Sequence, residues 1–540
     1  MRGSRVVALA AACAGALGVA YLILPAMGSD LAAQVARADF FAAHGPTPVD
    51  LRWYGGVQQF GYSLLAQPVM ALLGVRLTGV VALVAAATAL AALLVRTRVP
   101  RPLLGSLVGV VTIAGNLLSG RITYGLGVAF GLAALLALTW RPTLSPAATT
   151  VRHVRSGGRW PLVLAGVGAL LASATSPVAG LFVGLAGVAL LLSRRYADGL
   201  TLAVTAALPL GVTALLFSDG GWMNISRTDT IRATVTALLV AALVGYRPVR
   251  VGALLAAGGV VAAALVHTPV GLNATRLATM FALPLLAAAA HRPAWLGSAR
   301  RTGPPVAQPR RVGAVALAVL LAVVYWWQPP VVPADLRSIG DPTSAPGYFA
   351  PLRAELERRG LTGRLEVPPT RNYWEAARLG EVPLARGWLR QADIDRNPLF
   401  FTTVPGATGT GVPLTVDSYR AWLDDNAVQY VAVPDAPLSW VGRAEAELVD
   451  GGLPYLTEVW SDRHWRLYAV TDPTPLVGAP GELLHADGAS VTFGTTGAAT
   501  VPVRVRHSRW LTASGDATVA ADGDWTAVTV PRAGTYTLGS

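Results

Sequence analysis

Long apolar runs, separated by short gaps that carry arginine, fill the first 330 residues of the chain. A helix needs roughly 20 apolar residues to cross a bilayer. Runs of about that length lie at 6–27, 75–95, 102–119, 121–139, 160–176, 177–193, 200–217, 231–246, 251–267, 274–290 and 312–328. The pattern predicts an α-helical polytopic membrane protein of about 11 spans. Arg2 and Arg5 precede the first run as in a signal peptide. No convincing small-x-small cleavage end follows, and many more runs do, so the first is read as a retained span.

Beyond Pro330 the periodicity changes. "SAPGYFAPLRAELERRG" reads as a helix closed by Gly360, and "GRLEVPP" as a strand. "SYRAWLDDNAVQYVAVPDAP" reads as a helix, a strand and a turn, and "HWRLYAV" as another strand. These units predict a C-terminal α/β layer over 331–472. "ASVTFGTTG", "ATVPVRVRHS", "DATVAADGD" and "WTAVTVPRAGTYTLG" alternate between Gly and Asp turns. They predict a small antiparallel, β-sandwich-like module over 473–540, suited to packing support or to carbohydrate binding.

Charge sharpens the division. Residues 1–330 hold six aspartates, no glutamate and 25 arginines, whereas 331–540 hold 24 acids and 18 arginines; there is no lysine. The mean hydropathy is +0.49. The basic balance therefore belongs to the apolar part, and it argues for a membrane rather than a nucleic-acid partner. Alternate gaps are rich in arginine: Arg96, Arg98 and Arg101; Arg141, Arg152, Arg155 and Arg159; Arg194 and Arg195; Arg247 and Arg250; Arg292, Arg300, Arg301, Arg310 and Arg311. The positive-inside rule puts these in the cytoplasm with the N-terminus. An odd number of spans then puts the C-terminal domain outside a plasma membrane. Cys13 is the only cysteine, so no intrachain disulfide can staple that domain.

The first exterior loop, 28–74, follows the first span in the expected domain 1–330. In it, "SDLAAQVARADFFAAHG" has helical spacing, with Leu31, Val35, Ala38 and Phe41 on one face and Ser29 as a candidate cap. Asp30 can mark a helix start, or it can serve as a general base on an acceptor hydroxyl. Asp39 lies nine residues on, about two and a half turns, and so on the opposite side of the helix. Arg52 can pair with Asp50 or hold a phosphate through paired hydrogen bonds. His44, Trp53, Tyr54, Gln58 and Tyr62 can serve a sugar, anchor the loop at the interface or satisfy its backbone. Arg121 and Arg276 stand near outer span ends, where an arginine usually faces a cavity or a partner. In "PPTRNYWEAARLGEVPLARGWLRQADIDRNPLF", Arg371, Asn372, Tyr373, Trp374, Glu375, Arg386, Trp388 and Arg390 can form a sugar platform, or an aromatic core with paired surface charges. The chain has no Walker loop, no HExxH and no Cys/His metal cluster.

This layout resembles the GT-C superfamily of polyprenyl-phosphate-dependent glycosyltransferases. "GSDLAAQVARADFF" carries the resemblance, with Asp30 at the position of the usual catalytic acid. The C-terminal part, with "PPTRNYWEAARLGEVPLARGW" and "NPLF", is similar to an actinobacterial group of integral membrane proteins. The resemblance implies an inverting glycosyltransferase that moves a sugar from a polyprenyl-phosphate donor to a cell-envelope glycan or lipid. It implies Asp30 and Asp39 as catalytic acids and Arg52, Arg121 and Arg276 at the donor phosphate. His44, Trp53, Tyr54, Gln58, Tyr62, Asn372, Tyr373 and Trp374 would contact acceptor or sugar. Some members use a divalent cation, Mg or Mn, and others none. Two other readings remain open: a transporter without an ATPase, and a non-catalytic envelope-assembly or glycan-binding protein. A transporter predicts charge near mid-membrane and often an inverted repeat, and the runs show neither.

Overall fold

Each of the eleven apolar runs forms a helix in the computed structural model, which describes residues 3–140, 159–291, 313–407 and 411–540. They are Gly3–Ile23, Val75–Arg96, Pro102–Leu118, Ile122–Leu138, Trp160–Thr175, Pro177–Leu192, Tyr196–Leu216, Arg227–Leu243, Arg247–Leu265, Arg276–Ala289 and Ala314–Trp327. Five are long and apolar enough to cross a membrane by length and composition, counting the single turn of 3-10 helix ahead of Arg276 with its helix; five more are shorter apolar helices. The helices meet through small residues. Ala10 and Ala14, Ala82 and Ala86, and Ala165, Ala169 and Ala172 are buried, and a Cβ on Gly187 would fall 2.8 Å from the Gly199 carbonyl oxygen. Their other faces expose large apolar side chains such as Leu17, Val81, Val163, Leu215, Leu254 and Val319. So much uncovered apolar surface requires lipid. The chain is a multi-pass membrane protein. The arginine-rich gaps at 141–158 and 292–312 lie outside the described residues.

The C-terminal region is β-rich. Its first sheet has the order Arg364–Glu366, Val428–Pro434, Trp465–Val470, Leu456–Ser461, with the first pair parallel and the rest antiparallel. Helices Pro346–Arg359, Val416–Asp425 and Trp440–Asp450 accompany it. Next come a four-stranded sheet (Thr512–Ala513, Gly534–Gly539, Ser490–Thr495, Glu482–Ala486) and a three-stranded one (Thr518–Asp522, Trp525–Val530, Ala499–Val503). Alternating residues of both, including Phe493, Val501, Val528 and Leu538, share one core, as in a sandwich.

The loop between the first two membrane helices is clamped by this region. It forms the helix Leu31–His44, a two-residue hairpin (Val49–Asp50 with Val57–Gln58), and the short helices Gln59–Tyr62 and Ala66–Leu73. Val49 and Leu51 sit in the sandwich core. The Leu384 amide donates to the Arg52 carbonyl at 2.7 Å, and the Arg506 amide to the Gly55 carbonyl at 2.8 Å. The C-terminal region therefore lies over the end of the bundle that carries this loop.

Candidate functional site

Two turns, far apart in sequence, interlock at that end. Gly28-Ser29-Asp30 follows the first membrane helix, and Ser119-Gly120-Arg121 joins two later ones. Gly28 has φ +104°, and a Cβ on it would fall 2.5 Å from the Leu118 carbonyl oxygen. Gly120 has φ +74°, and its Cβ would fall 2.4 Å from the Leu31 amide nitrogen. Only glycine permits both the backbone conformation and this approach. The contact is sealed by the Asp30 amide, which donates to the Ser119 carbonyl at 3.0 Å.

Asp30, not Ser29, takes the N-cap position of Leu31–His44, yet its side chain makes no capping hydrogen bond. The carboxylate faces two guanidiniums instead. Arg121 Nε lies 3.3 Å and Arg276 Nη2 3.4 Å from Asp30 Oδ2. Ser29 Oγ donates to Oδ1 at 3.2 Å. Each arginine approaches through one nitrogen, in a geometry too long for a tight bidentate pair. Arg121 caps the helix Ile122–Leu138, and Arg276 opens Arg276–Ala289. Arg121 thus stands at a helix N-terminus, where the backbone dipole also favours an anion, and Arg276 follows directly on the 3-10 turn Gly271–Thr275.

The same two helices line a cavity of about 820 Å³ that runs inward through the bundle. Tyr124, Val128, Leu132, Leu135 and Leu138 come from one, and Leu277, Phe281 and Leu285 from the other. The wall is overwhelmingly apolar. The Arg276 guanidinium sits 5.3 Å above the Tyr124 ring, and the buried Tyr124 hydroxyl has no partner among the described residues. Asp30, Arg121 and Arg276 are not part of the cavity lining; they lie just beyond its Tyr124 and Leu277 end, and Thr97, Arg98, Arg195, Tyr246 and His291 border its other end.

Further groups complete the rim. Gln34, one turn along the helix from Asp30, donates to the Tyr62 hydroxyl at 3.2 Å and accepts from Thr123 Oγ1 at 2.5 Å. Tyr62 packs edge-on against Trp388, whose Nε1 donates to the Ser29 carbonyl at 3.0 Å. Arg37 lies 4.3 Å from the Tyr62 ring centroid and is buried; among the described residues it has no ion pair, and its Nε and Nη2 find no acceptor. Burial lowers its pKa, opposed by the neighbouring Tyr62, Asp50 and Asp219. Asp335, just past the last membrane helix, accepts from the Ser29 amide at 2.9 Å and from Ser119 Oγ at 2.6 Å, pinning both turns. Burial raises its pKa.

The structure thus brings Asp30, Arg121, Arg276 and Tyr62 together and places the other predicted residues elsewhere. Asp39 is exposed on the far side of its helix from the buried Asp30. Arg52 is spent on Asp50 (Nε to Oδ1 2.9 Å, Nη2 to Oδ2 2.8 Å) and on the Ala36 carbonyl at 2.8 Å, all buried. It fixes the loop rather than facing the cavity. His44 pairs with Glu381 at 3.0 Å. Trp53 and Tyr54 are buried under the C-terminal region, donating to the Ala376 and Gly387 carbonyls at 3.3 and 2.5 Å. Asn372 binds Asp341 at 3.1 Å, and Tyr373 and Trp374 are core residues, not an open platform. Gln58 lies in a separate polar cleft. Gln34, Arg37 and Asp335 were not singled out as site residues; Trp388 was, as part of the sugar platform, and it instead donates to the Ser29 carbonyl. An arginine after a predicted helix start was the one visible signal, at Arg37.

The described residues contain no group of three or more His, Cys, Asp or Glu suited to a metal ion. The donors at the site do not fit a divalent cation either. Asp30 Oδ2 faces two guanidiniums, and both Asp335 oxygens accept hydrogen bonds from serine residues.

No family model matches the chain, and no curated protein matches it. Among solved structures it is similar to the cryo-EM structure of the arabinofuranosyltransferase AftD from Mycobacteria, at 18% identity over 90% of this chain and 40% of that one, with a TM-score of 0.44. It is also similar to the crystal structure of ArnT from Cupriavidus metallidurans bound to undecaprenyl phosphate, at 13% identity over 86% of this chain and 97% of that one, with a TM-score of 0.45. The chain therefore spans about 40% of the length of AftD.

Proposed function

We propose that the protein is a glycosyltransferase that moves a sugar from a polyprenyl-phosphate donor to a hydroxyl of a cell-envelope glycan or lipid. One observation carries the reading: Asp30, Arg121 and Arg276 converge beside the Tyr124 and Leu277 end of the apolar cavity, so a lipid-linked phosphate held by them would direct its chain towards that space. The prenyl chain would fill the cavity by apolar burial. Its phosphate would lie between Arg121, at the N-terminus of one helix, and Arg276.

The chemistry follows from that placement. As the guanidiniums turn to the phosphate, Asp30 is freed to accept a proton. The acceptor oxygen attacks C1 of the sugar and gives its proton to the Asp30 carboxylate. The C1–O bond to the phosphate breaks, and the electron pair leaves with the lipid phosphate, whose charge the two arginines meet. A single displacement inverts the anomeric centre. Arg37, with two uncommitted N–H groups behind Tyr62, suits a hydroxyl of the bound sugar.

The reading places this end of the bundle outside the membrane. Arg101 donates to the Ala287 and Ala290 carbonyls at 2.9 and 2.7 Å, at the end of its helix opposite Arg276. The arginine-rich gap therefore lies at the other end from the site, as the positive-inside rule requires for an extracytoplasmic one. Incubating purified protein with labelled polyprenyl-phosphate sugars and envelope extract tests the proposal. Transfer by wild type that is lost in Asp30→Asn supports it. No transfer from any donor, with unchanged envelope glycans in a deletion strain, contradicts it.

A further inference from the structure

A second cavity, of about 480 Å³, opens where the first long loop, the turn at 217–226, the mixed-sheet layer and the sandwich meet. Its wall is almost entirely polar. Gln58 and Asp219 form one side, Asp395 and Arg396 another, and Arg506 and Ser508 the third. The frame is held by built contacts. The Gln58 amide donates to Asp219 Oδ1 at 2.8 Å, and Gln58 Nε2 to Ser508 Oγ at 3.0 Å. Arg396 meets Asp219 at 3.5 Å and donates to the Gly56 carbonyl at 2.9 Å. Arg506 pairs with Asp524 at 2.8 Å. Gln58 Oε1 is buried at this wall and has no donor among the described residues.

We propose that this cleft binds the neutral, hydroxyl-rich chain of the acceptor glycan. It rests on the transferase reading for the word acceptor, and on its own chemistry for the ligand. Carboxylates, an amide oxygen and a serine hydroxyl accept from or donate to sugar hydroxyls, and so favour a polyol. Of the four wall aspartates, Asp219, Asp524 and Asp425 pair with Arg396, Arg506 and Arg504, and Asp395 has no ion pair among the described residues, so the wall offers no free cation to an anionic oligomer and one carboxylate against it. The almost complete lack of apolar lining excludes a lipid chain. Position agrees with the role. Gln58 leads into the helix Gln59–Tyr62, and Tyr62 reaches Gln34 beside Asp30. Gln58 and Tyr62 thus stand at the two ends of one helical turn, which links the cleft to Gln34, one turn along its helix from Asp30.

Calorimetric titration of the full protein in lipid nanodiscs tests this. The probes are maltopentaose, mannopentaose, arabinopentaose and, as the anionic control, tetragalacturonate. The expected result is saturable binding of at least one neutral oligomer and none of tetragalacturonate. Ser508→Trp, which fills the cleft, weakens binding about tenfold or more, and Asp395→Ala, an exposed change that cannot disturb the core, weakens it several-fold. Asp30→Asn binds as wild type does. Absence of neutral binding, equal binding of tetragalacturonate, or Asp395→Ala and a folded Ser508→Trp that both bind normally overturns the cleft assignment. Binding without sugar transfer would overturn the transferase reading and leave the cleft; transfer without binding would do the reverse.

Discussion

Arg276 Nη2 stands 3.4 Å from Asp30 Oδ2, joining the start of a late membrane helix to the turn after the first one. The pair is bracketed by Arg121 at 3.3 Å, so one carboxylate answers two cations. A lipid phosphate would give the two cations a further anionic partner.

Asp30→Asn keeps the size of the side chain and removes the base. Transfer is expected to fall by about 10²–10⁴-fold with little change in donor binding. Arg276→Gln is expected to act mainly on the donor, raising its KM, because a phosphate contact is lost. Steady-state kinetics with a purified polyprenyl-phosphate sugar separate the two. Equal kcat losses with unchanged KM in both would argue against a phosphate role for Arg276.

Gly120→Ala tests the interlocked turns. The added Cβ meets the Leu31 backbone at 2.4 Å, at a residue with φ +74°. A cost of about 1–3 kcal/mol in stability is expected, with a loss of activity from displacement of Asp30 relative to Arg121. Thermal unfolding in detergent and the transfer assay check it. An unchanged Tm would mean that the turns do not depend on this approach.

Arg37 is a buried cation whose Nε and Nη2 have no partner among the described residues. Such a group costs folding free energy unless a ligand uses it. Arg37→Met is therefore expected to leave Tm unchanged or raise it, while transfer drops about tenfold or more. A large fall in Tm with normal transfer would assign Arg37 to packing alone, through its contact with the Tyr62 ring.

Glu375 gives the C-terminal region a pH signature. It is buried, accepts from Thr370 Oγ1 at 2.5 Å, and burial pushes its pKa up to about 7. The folded state holds the proton more tightly than the unfolded chain. Its contribution is therefore fully present below the ordinary glutamate range and is lost as pH rises towards about 7. Glu375→Gln is expected to raise stability at pH 7.5 by about 1–3 kcal/mol and to change little at pH 4. Denaturant unfolding of the full protein at both values checks the sign.

The apolar runs announced the eleven helices because lipid demands a continuous apolar face, and each gap carried its own arginines or glycines. The strands around Tyr430, Leu467 and Val528 were legible from alternation and turns. Asp30, Arg121 and Arg276 stood out because charge is scarce and costly in such a sequence. Arg52 stood out for the same reason, but Asp50, two residues away, takes it. Trp53, Tyr54, Tyr373 and Trp374 resembled a sugar platform because composition cannot show which surface covers them. The C-terminal region folds back over the loop, and both pairs turn inward. Asp335 gave no local signal, since its partners Ser29 and Ser119 lie hundreds of residues away.

What lies between Arg121, Arg276 and the adjoining membrane cavity decides the mechanism. Cryo-EM of the protein in nanodiscs loaded with a polyprenyl phosphate measures this directly. It should show the phosphate within about 3 Å of nitrogens of both Arg121 and Arg276, with Asp30 beside it and the chain running down past Tyr124 and Leu277. A phosphate held away from both arginines, or a chain lying outside the cavity, would contradict it.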